Sequence, residues 1–113
     1  MEKLRVYQVL ECNRVLYKMM EQKVLLPISV GLKVKRIMNV FDEVETYVFE
    51  TMDETFKGFD WGNMTDEEIS FYGKLISEEI ELYFEKIKEE TFENNDKLTL
   101  TIDDIDKLSL ILC

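Results

Sequence analysis

Apolar residues recur at helical spacing along most of this chain, and the places where the rhythm breaks mark its joints. Between Pro27 and Lys57 they fall at Val34, Ile37, Phe41, Val44 and Val48, spaced 3, 4, 3 and 4. That is a heptad seam, prolonged by Met52 and Phe56, and it predicts one long helix over 27–57. Pro27 suits the first position of a helix, where its missing N–H leaves no bond unmade. Thirty helical residues span about 45 Å, whereas a globule of this size has a radius of gyration of about 13 Å. The seam therefore needs a partner helix along its whole length or another molecule over part of it. Self-association through the seam is one expectation.

A second helical stretch follows. Thr65-Asp66-Glu67-Glu68 reads as a capping box, in which threonine accepts from the third backbone N–H and glutamate reaches back to the cap. Ile69, Tyr72, Ile76, Ile80, Tyr83 and Ile87 then form one apolar face at spacings of 3, 4, 4, 3 and 4, which predicts a third helix over 66–92. Two long helices joined by a short turn make an antiparallel hairpin. Ahead of them a shorter helix is predicted over 7–23, with an imperfect stripe of Leu10, Leu16, Tyr17, Met19 and Met20.

Two segments alternate with period two instead. "KLRV" places Leu4 and Val6 on one face, and "KLTLTI" places Leu98, Leu100 and Ile102 on another. They are predicted to pair, joining the two ends of the sequence in a small two-stranded element. "DDIDKL" reads as a helical turn capped by aspartate, and "SLILC" as an apolar tail that must pack on the hairpin or on a neighbouring chain. The expected fold is mostly α within the α+β class: a long antiparallel helical hairpin, a shorter N-terminal helix and a small two-stranded element. It forms a single domain over residues 1–113.

Composition narrows the picture. With 46% hydrophobic residues among 113, the chain can build a core and is no disordered acidic tail. Glu2, Arg5, Glu11 and Arg14 interrupt any apolar run at the start, so neither a signal peptide nor a membrane span is predicted. Cys12 and Cys113 have no metal-ligand spacing and read as free thiols in a reducing compartment. Net charge is −10, unevenly laid out. Residues 1–40 hold eight basic against three acidic side chains, and the remainder six against twenty-one. Opposite charges of this kind draw the two halves together and bias the choice of partner.

The sequence lacks most catalytic chemistry. There is no histidine, the commonest general base, metal ligand and partner of a nucleophilic serine or cysteine. "VGLKVK" has one glycine and is no phosphate loop. Asp103, Asp104 and Asp106 cluster without the glycine and terminal glutamate of a calcium loop. Lys33, Lys35 and Arg36 lack interleaved aromatics, and the acidic chain repels nucleic acid. No catalytic, cofactor-binding or metal-binding residue is assigned, and direct nucleic-acid and membrane binding are not expected.

Two features remain as partner-binding candidates. The first is the aromatic pair Phe59 and Trp61 in "GFDWGN", between the hairpin helices. Gly58 suits a left-handed helix end and Gly62-Asn63 a second turn, so the stretch reverses the chain while its rings fold back over the hairpin tip. An outward Trp61 would instead anchor a partner. The second is Glu78, Glu81, Glu85 and Glu89, expected on one flank of the third helix. That face is either merely solvated or offers carboxylates to a protein built to hold nucleic acid.

The short "KL-V" start, the helix, and "LP" shortly before "GLKVKRIMNVFDEVETYVFE" form a pattern that resembles small proteins encoded by tailed bacteriophages. A closing "KLTLTIDDIDKLSLIL" and an acid-rich second half extend the resemblance over most of the chain. It implies a virus-encoded, non-enzymatic protein and supplies no functional residues. The expected function is an acidic protein-interaction protein, with a role in virion assembly. The alternative is an inhibitor of a host defence or nucleic-acid enzyme, acting as an acidic decoy. Its partner would be a phage structural or host defence protein, or another copy of itself, met in the host-cell cytoplasm or the virion.

Overall fold

The computed structural model describes residues 2–93 and 98–113. Strand β1 (Glu2–Arg5) runs directly into helix α1 (Val6–Glu21), followed by the long helix α2 (Ile28–Thr55). Helix α3 (Asp66–Ile76), strand β2 (Glu79–Leu82), a single turn α4 (Glu90–Glu93) and helix α5 (Ile102–Leu108) complete the order, with a 3₁₀ turn over Ser109–Ile111. The fold is helical α+β, with one long helix pair and one two-stranded antiparallel sheet.

The first two helices form where the pattern puts them. Pro27 is the N-cap of α2, one residue ahead of its expected place, and its carbonyl accepts from Gly31 N at 2.9 Å. At about 1.5 Å per residue α2 is about 42 Å long, close to the molecule's longest dimension of 45 Å. The radius of gyration, 15.7 Å, exceeds that of a sphere-like globule for this reason.

Helix α1 is the partner that covers the seam. Val34, Ile37 and Phe41 join a buried cluster with Val9, Cys12, Val15, Leu16 and Met19, closed by Ile87, Phe92, Leu108 and Ile111. Val48 and Met52 are buried too. The long helix pair is therefore α1 with α2, not α2 with a third helix of equal length. The seam is thus largely covered within the chain. The buried stripe of α1 is partly displaced from expectation: Leu16 and Met19 are buried as expected, Tyr17 and Met20 are exposed, and Val9, Cys12 and Val15 face the core instead.

The third helix stops at Ile76 instead of reaching residue 92. "EIEL" satisfies both periods, because Ile80 continues a helical stripe while also alternating with Glu79 and Glu81. β1 decides between them. Arg5 donates to the Ser77 carbonyl at 2.8 Å and Val6 N to that of Glu78 at 3.0 Å, capturing the end of α3. The strand register sets Lys3 opposite Glu81, Leu4 opposite Ile80 and Arg5 opposite Glu79. Opposite charges and an aliphatic pair directly across the ladder favour this pairing.

The partner of β1 is thus β2 and not "KLTLTI". Residues 98–101 have no regular secondary structure, with Leu98 and Leu100 half-buried, and pair with no strand among the described residues. The side-chain amide of Gln22 takes the place of one: it accepts from Thr99 N and donates to the Thr99 carbonyl, both at 2.8 Å. Residues 94–97, where the predicted third helix gives way to Lys97 of the predicted strand, lie outside the described residues. The cap of α5 is Thr101, whose hydroxyl accepts from Asp104 N at 3.1 Å, rather than an aspartate. The apolar tail packs as expected, with Ile111 buried and Leu112 bridged to Ile87.

Candidate interaction groove

The tip loop between α2 and α3 is built by its turn residues. Gly58 adopts φ 74, a left-handed conformation that costs other residues about 1 kcal/mol. Asp60 then closes a tight turn, its carboxylate accepting from Gly62 N at 2.9 Å. Thr65 starts α3 with the full capping box: its hydroxyl accepts from Glu68 N at 3.2 Å, and Glu68 accepts from Thr65 N at 2.8 Å.

This reversal swings Trp61 back between two helices. Its ring meets Phe59 at 4.6 Å, Phe49 of α2 at 5.2 Å and Tyr72 of α3 at 5.2 Å, all edge-to-face. Such pairs each contribute about 0.5–1.5 kcal/mol beyond burial. Phe59 is half-buried beneath Trp61, whereas Trp61 itself stays 43% exposed. Trp61 is both a lid on the hairpin tip and part of an open wall.

The wall belongs to a groove of about 850 Å³ between α1, α2 and the tip, within the size range of ligand clefts. Phe49, Trp61 and Tyr72, linked by ring contacts through Trp61, make its aromatic wall, Tyr17, Asp42 and Glu45 its polar end, and Leu10 and Arg14 belong to the same lining. Asn13 lies under that end, with 0% of its surface exposed. Its Nδ2 donates to Asp42 Oδ1 at 2.9 Å and to Glu45 Oε2 at 3.1 Å. The Tyr17 hydroxyl also donates to Asp42, lying 2.8 and 2.9 Å from its two oxygens. Hydrogen bonds to charged groups are the stronger kind, about 1.5–3 kcal/mol each when shielded.

Two consequences follow from this geometry. The Tyr17 phenol is raised above its ordinary 10, first by its bond to Asp42 and then by desolvation. Tyr72 is raised by burial, with Arg14 opposing and Glu45 adding to the shift. Asn13 Oδ1 has no hydrogen-bond partner among the described residues although it is buried. An orphaned buried acceptor costs about 1–3 kcal/mol. The amide is thus held at some expense where it fixes two carboxylates.

The other expected feature loses its geometry. Glu78, Glu81, Glu85 and Glu89 form no helical stripe, because α3 ends before all four. Glu78 joins α3 to β2, Glu81 stands across from Lys3, and Glu85 pairs with Lys33 at 3.5 Å. Glu89 lies near the C-terminal tail, its N–H donating to the Cys113 carbonyl at 3.3 Å. Arg5–Glu79 at 3.9 Å and Lys18–Asp104 at 2.6 Å also join the basic first part of the chain to the acidic remainder. Asp103 is taken by Lys107 at 3.0 Å.

Of the candidates read from sequence, Trp61 lines the groove and Phe59 packs against Trp61 without lining it; the four glutamates are not brought together. Sequence reasoning missed Asn13, Arg14, Tyr17, Asp42, Glu45, Phe49 and Tyr72. A faint signal existed, since Asp42, Glu45 and Phe49 repeat at helical spacing one residue beyond Phe41, Val44 and Val48. Nothing local said that α1 would lie across them.

Among the described residues, no helix is long and apolar enough to cross a membrane. No protein-family model matches the chain, and neither a curated protein nor a solved structure matches it.

Proposed function

We propose that this chain is a non-enzymatic interaction protein that receives a segment of another protein in the groove between α1, α2 and the tip loop. The observation that carries this reading is the aromatic wall of Phe49, Trp61 and Tyr72, left open to solvent beside a polar end whose hydrogen bonds are already set. Aromatic anchors in a concave, pre-organised site supply most of the energy of protein recognition. The setting we propose, on the resemblance of the sequence pattern, is a phage-infected cell, with a phage structural protein as the partner. The decoy reading is not favoured, because its four glutamates share no helix face and Glu85 is already paired to Lys33.

Site-specific photo-cross-linking in lysate of the cells that make the protein tests this. A photoreactive residue at Thr46, which lines the groove, should trap one protein that the same residue at Glu21, on the outside of α1, does not. Trp61→Ala should abolish the Thr46 product. Equal products from both positions, or a Thr46 product indifferent to Trp61→Ala, would sink the proposal.

A further inference from the structure

We propose that the groove is specific for an arginine side chain of the partner, with the guanidinium held between Asp42 and Glu45 and its stem against the rings of Trp61 and Phe49. This rests on the groove being a protein-binding site and adds the chemistry of the occupant.

Asp42 and Glu45 sit one turn apart on α2, both half-buried, and each accepts a hydrogen bond from the same nitrogen of Asn13. Two carboxylates drawn onto one donor repel each other more strongly than they would in water. The groups that fix them, Asn13 and Tyr17, are neutral and orient the oxygens without cancelling the charge. No lysine or arginine among the described residues comes within 4.0 Å of either carboxylate. By contrast, Asp103, Asp104, Glu79 and Glu85 all have cationic partners. The groove therefore holds paired carboxylates to which no cation is bonded among the described residues.

The rest of the lining fits a cation carried on an apolar stem. Aromatic faces attract cations, tryptophan most strongly, and Trp61 is held in place by near-perpendicular contacts with Phe59, Phe49 and Tyr72. Arginine suits the site better than lysine. Its planar fork can bond two carboxylates at once, it stacks on rings, and it sheds water more easily than an ammonium group. A net charge of −10 further favours encounter with a basic segment. Arg14 works against the incoming charge: it lines the groove, is exposed, and bonds neither acid. Its removal should therefore strengthen binding, an effect that damage to the fold would not produce.

Trp61 is the sole tryptophan, so its fluorescence reports the groove directly. The probes are acetyl-Ala-Leu-Arg-Leu-Ala-amide and the same peptide with lysine or with citrulline, the neutral isostere of arginine. The arginine peptide should saturate the signal at millimolar concentration or below, with citrulline at least about tenfold weaker and lysine between them. Asp42→Asn with Glu45→Gln, which keeps the acceptors on Asn13, should erase the preference for arginine, and Arg14→Gln should tighten the arginine peptide. Circular dichroism of each variant establishes that the helices persist. Equal binding of the arginine and citrulline peptides, no binding of the arginine peptide, or an unchanged preference in the doubly neutralised protein overturns the arginine assignment. A Thr46 cross-link that survives the double neutralisation would leave protein binding standing and remove only its arginine specificity. Loss of that cross-link in Trp61→Ala protein bears on the groove and not on the cation.

Discussion

Helices α1 and α2 meet along two lines that look alike in sequence and behave oppositely. Along one, Val9, Cys12, Leu16 and Met19 close against Val34, Ile37 and Phe41 with nothing polar between them. Along the other, Leu10, Arg14 and Tyr17 line an open groove together with Asp42, Glu45 and Phe49. Each line uses the helical spacing of 3 and 4, offset by about one residue. Shape-filling aliphatic side chains shut the first. Side chains with charged or hydroxyl ends keep the second wet, and Asn13 sits at the border with its amide turned to the wet side. A helix pair can thus supply its stability on one edge and its recognition chemistry on the other.

The closed edge is where the largest loss is expected. Phe41 is fully buried and meets Phe84 edge-to-face at 5.5 Å. Phe41→Ala should cost about 3–5 kcal/mol in denaturant unfolding. A loss below about 1 kcal/mol would mean that this edge is not the core.

Asn13→Asp should come next, at about 3 kcal/mol, because it buries a third carboxylate beside Asp42 and Glu45. The new carboxyl would have a folded pKa above its unfolded value, so the folded state takes up its proton first. The penalty should then shrink as pH falls, opposite to ordinary acid denaturation. A variant whose deficit is the same at pH 5 and pH 8 would refute the arrangement around Asn13.

Trp61→Ala should cost less, about 1–2 kcal/mol, since Trp61 is partly exposed and its contribution lies in ring contacts. Thermal unfolding should register this modest change while groove binding is lost entirely. A large stability loss would make Trp61 a core residue rather than a wall.

A smaller effect is expected at the tie between α1 and α5. Lys18 holds the Asp104 carboxyl below its ordinary 3.8, helped by the Thr101 backbone N–H. A depressed carboxyl gives stability that is complete above its unfolded value and fades as pH drops through the folded one. Asp104→Asn should therefore lower stability slightly at neutrality, with the deficit closing in unfolding measurements taken as pH falls below about 4.

The smallest expected effect is the absence of one. Burial pushes the Cys12 thiol up to about 12, so iodoacetamide should label Cys113 in the native protein and leave Cys12 untouched at pH 8. Rapid labelling of Cys12 would show that the closed edge opens.

The groove was the least legible part of the molecule, for a physical reason visible in particular residues. Phe59 and Trp61 could be singled out because aromatic residues among turn-forming glycines are conspicuous. Asn13 could not, since an asparagine within a helix reads as solvent-facing until a partner helix with two acids is laid over it. The four glutamates after α3 misled for the converse reason. Their spacing fits a helix face, and only the packed fold reveals that Glu81 stands across from Lys3 and Glu85 pairs with Lys33.

What the sequence determined by itself is local. The 3,4 seam makes α2, Thr65 and Glu68 begin α3, and Gly58 permits the left-handed turn, because each depends on residues within a few positions. Tertiary structure alone decided where α3 stops and which strand β1 joins. "EIEL" fits helix and strand equally well, and β1 tips it with ladder bonds and the Arg5–Glu79 and Lys3–Glu81 pairings. It also decided that the backbone of Thr99 would be satisfied by Gln22 rather than by a strand. Backbone groups accept any well-placed partner, and only the packed chain determines which one arrives.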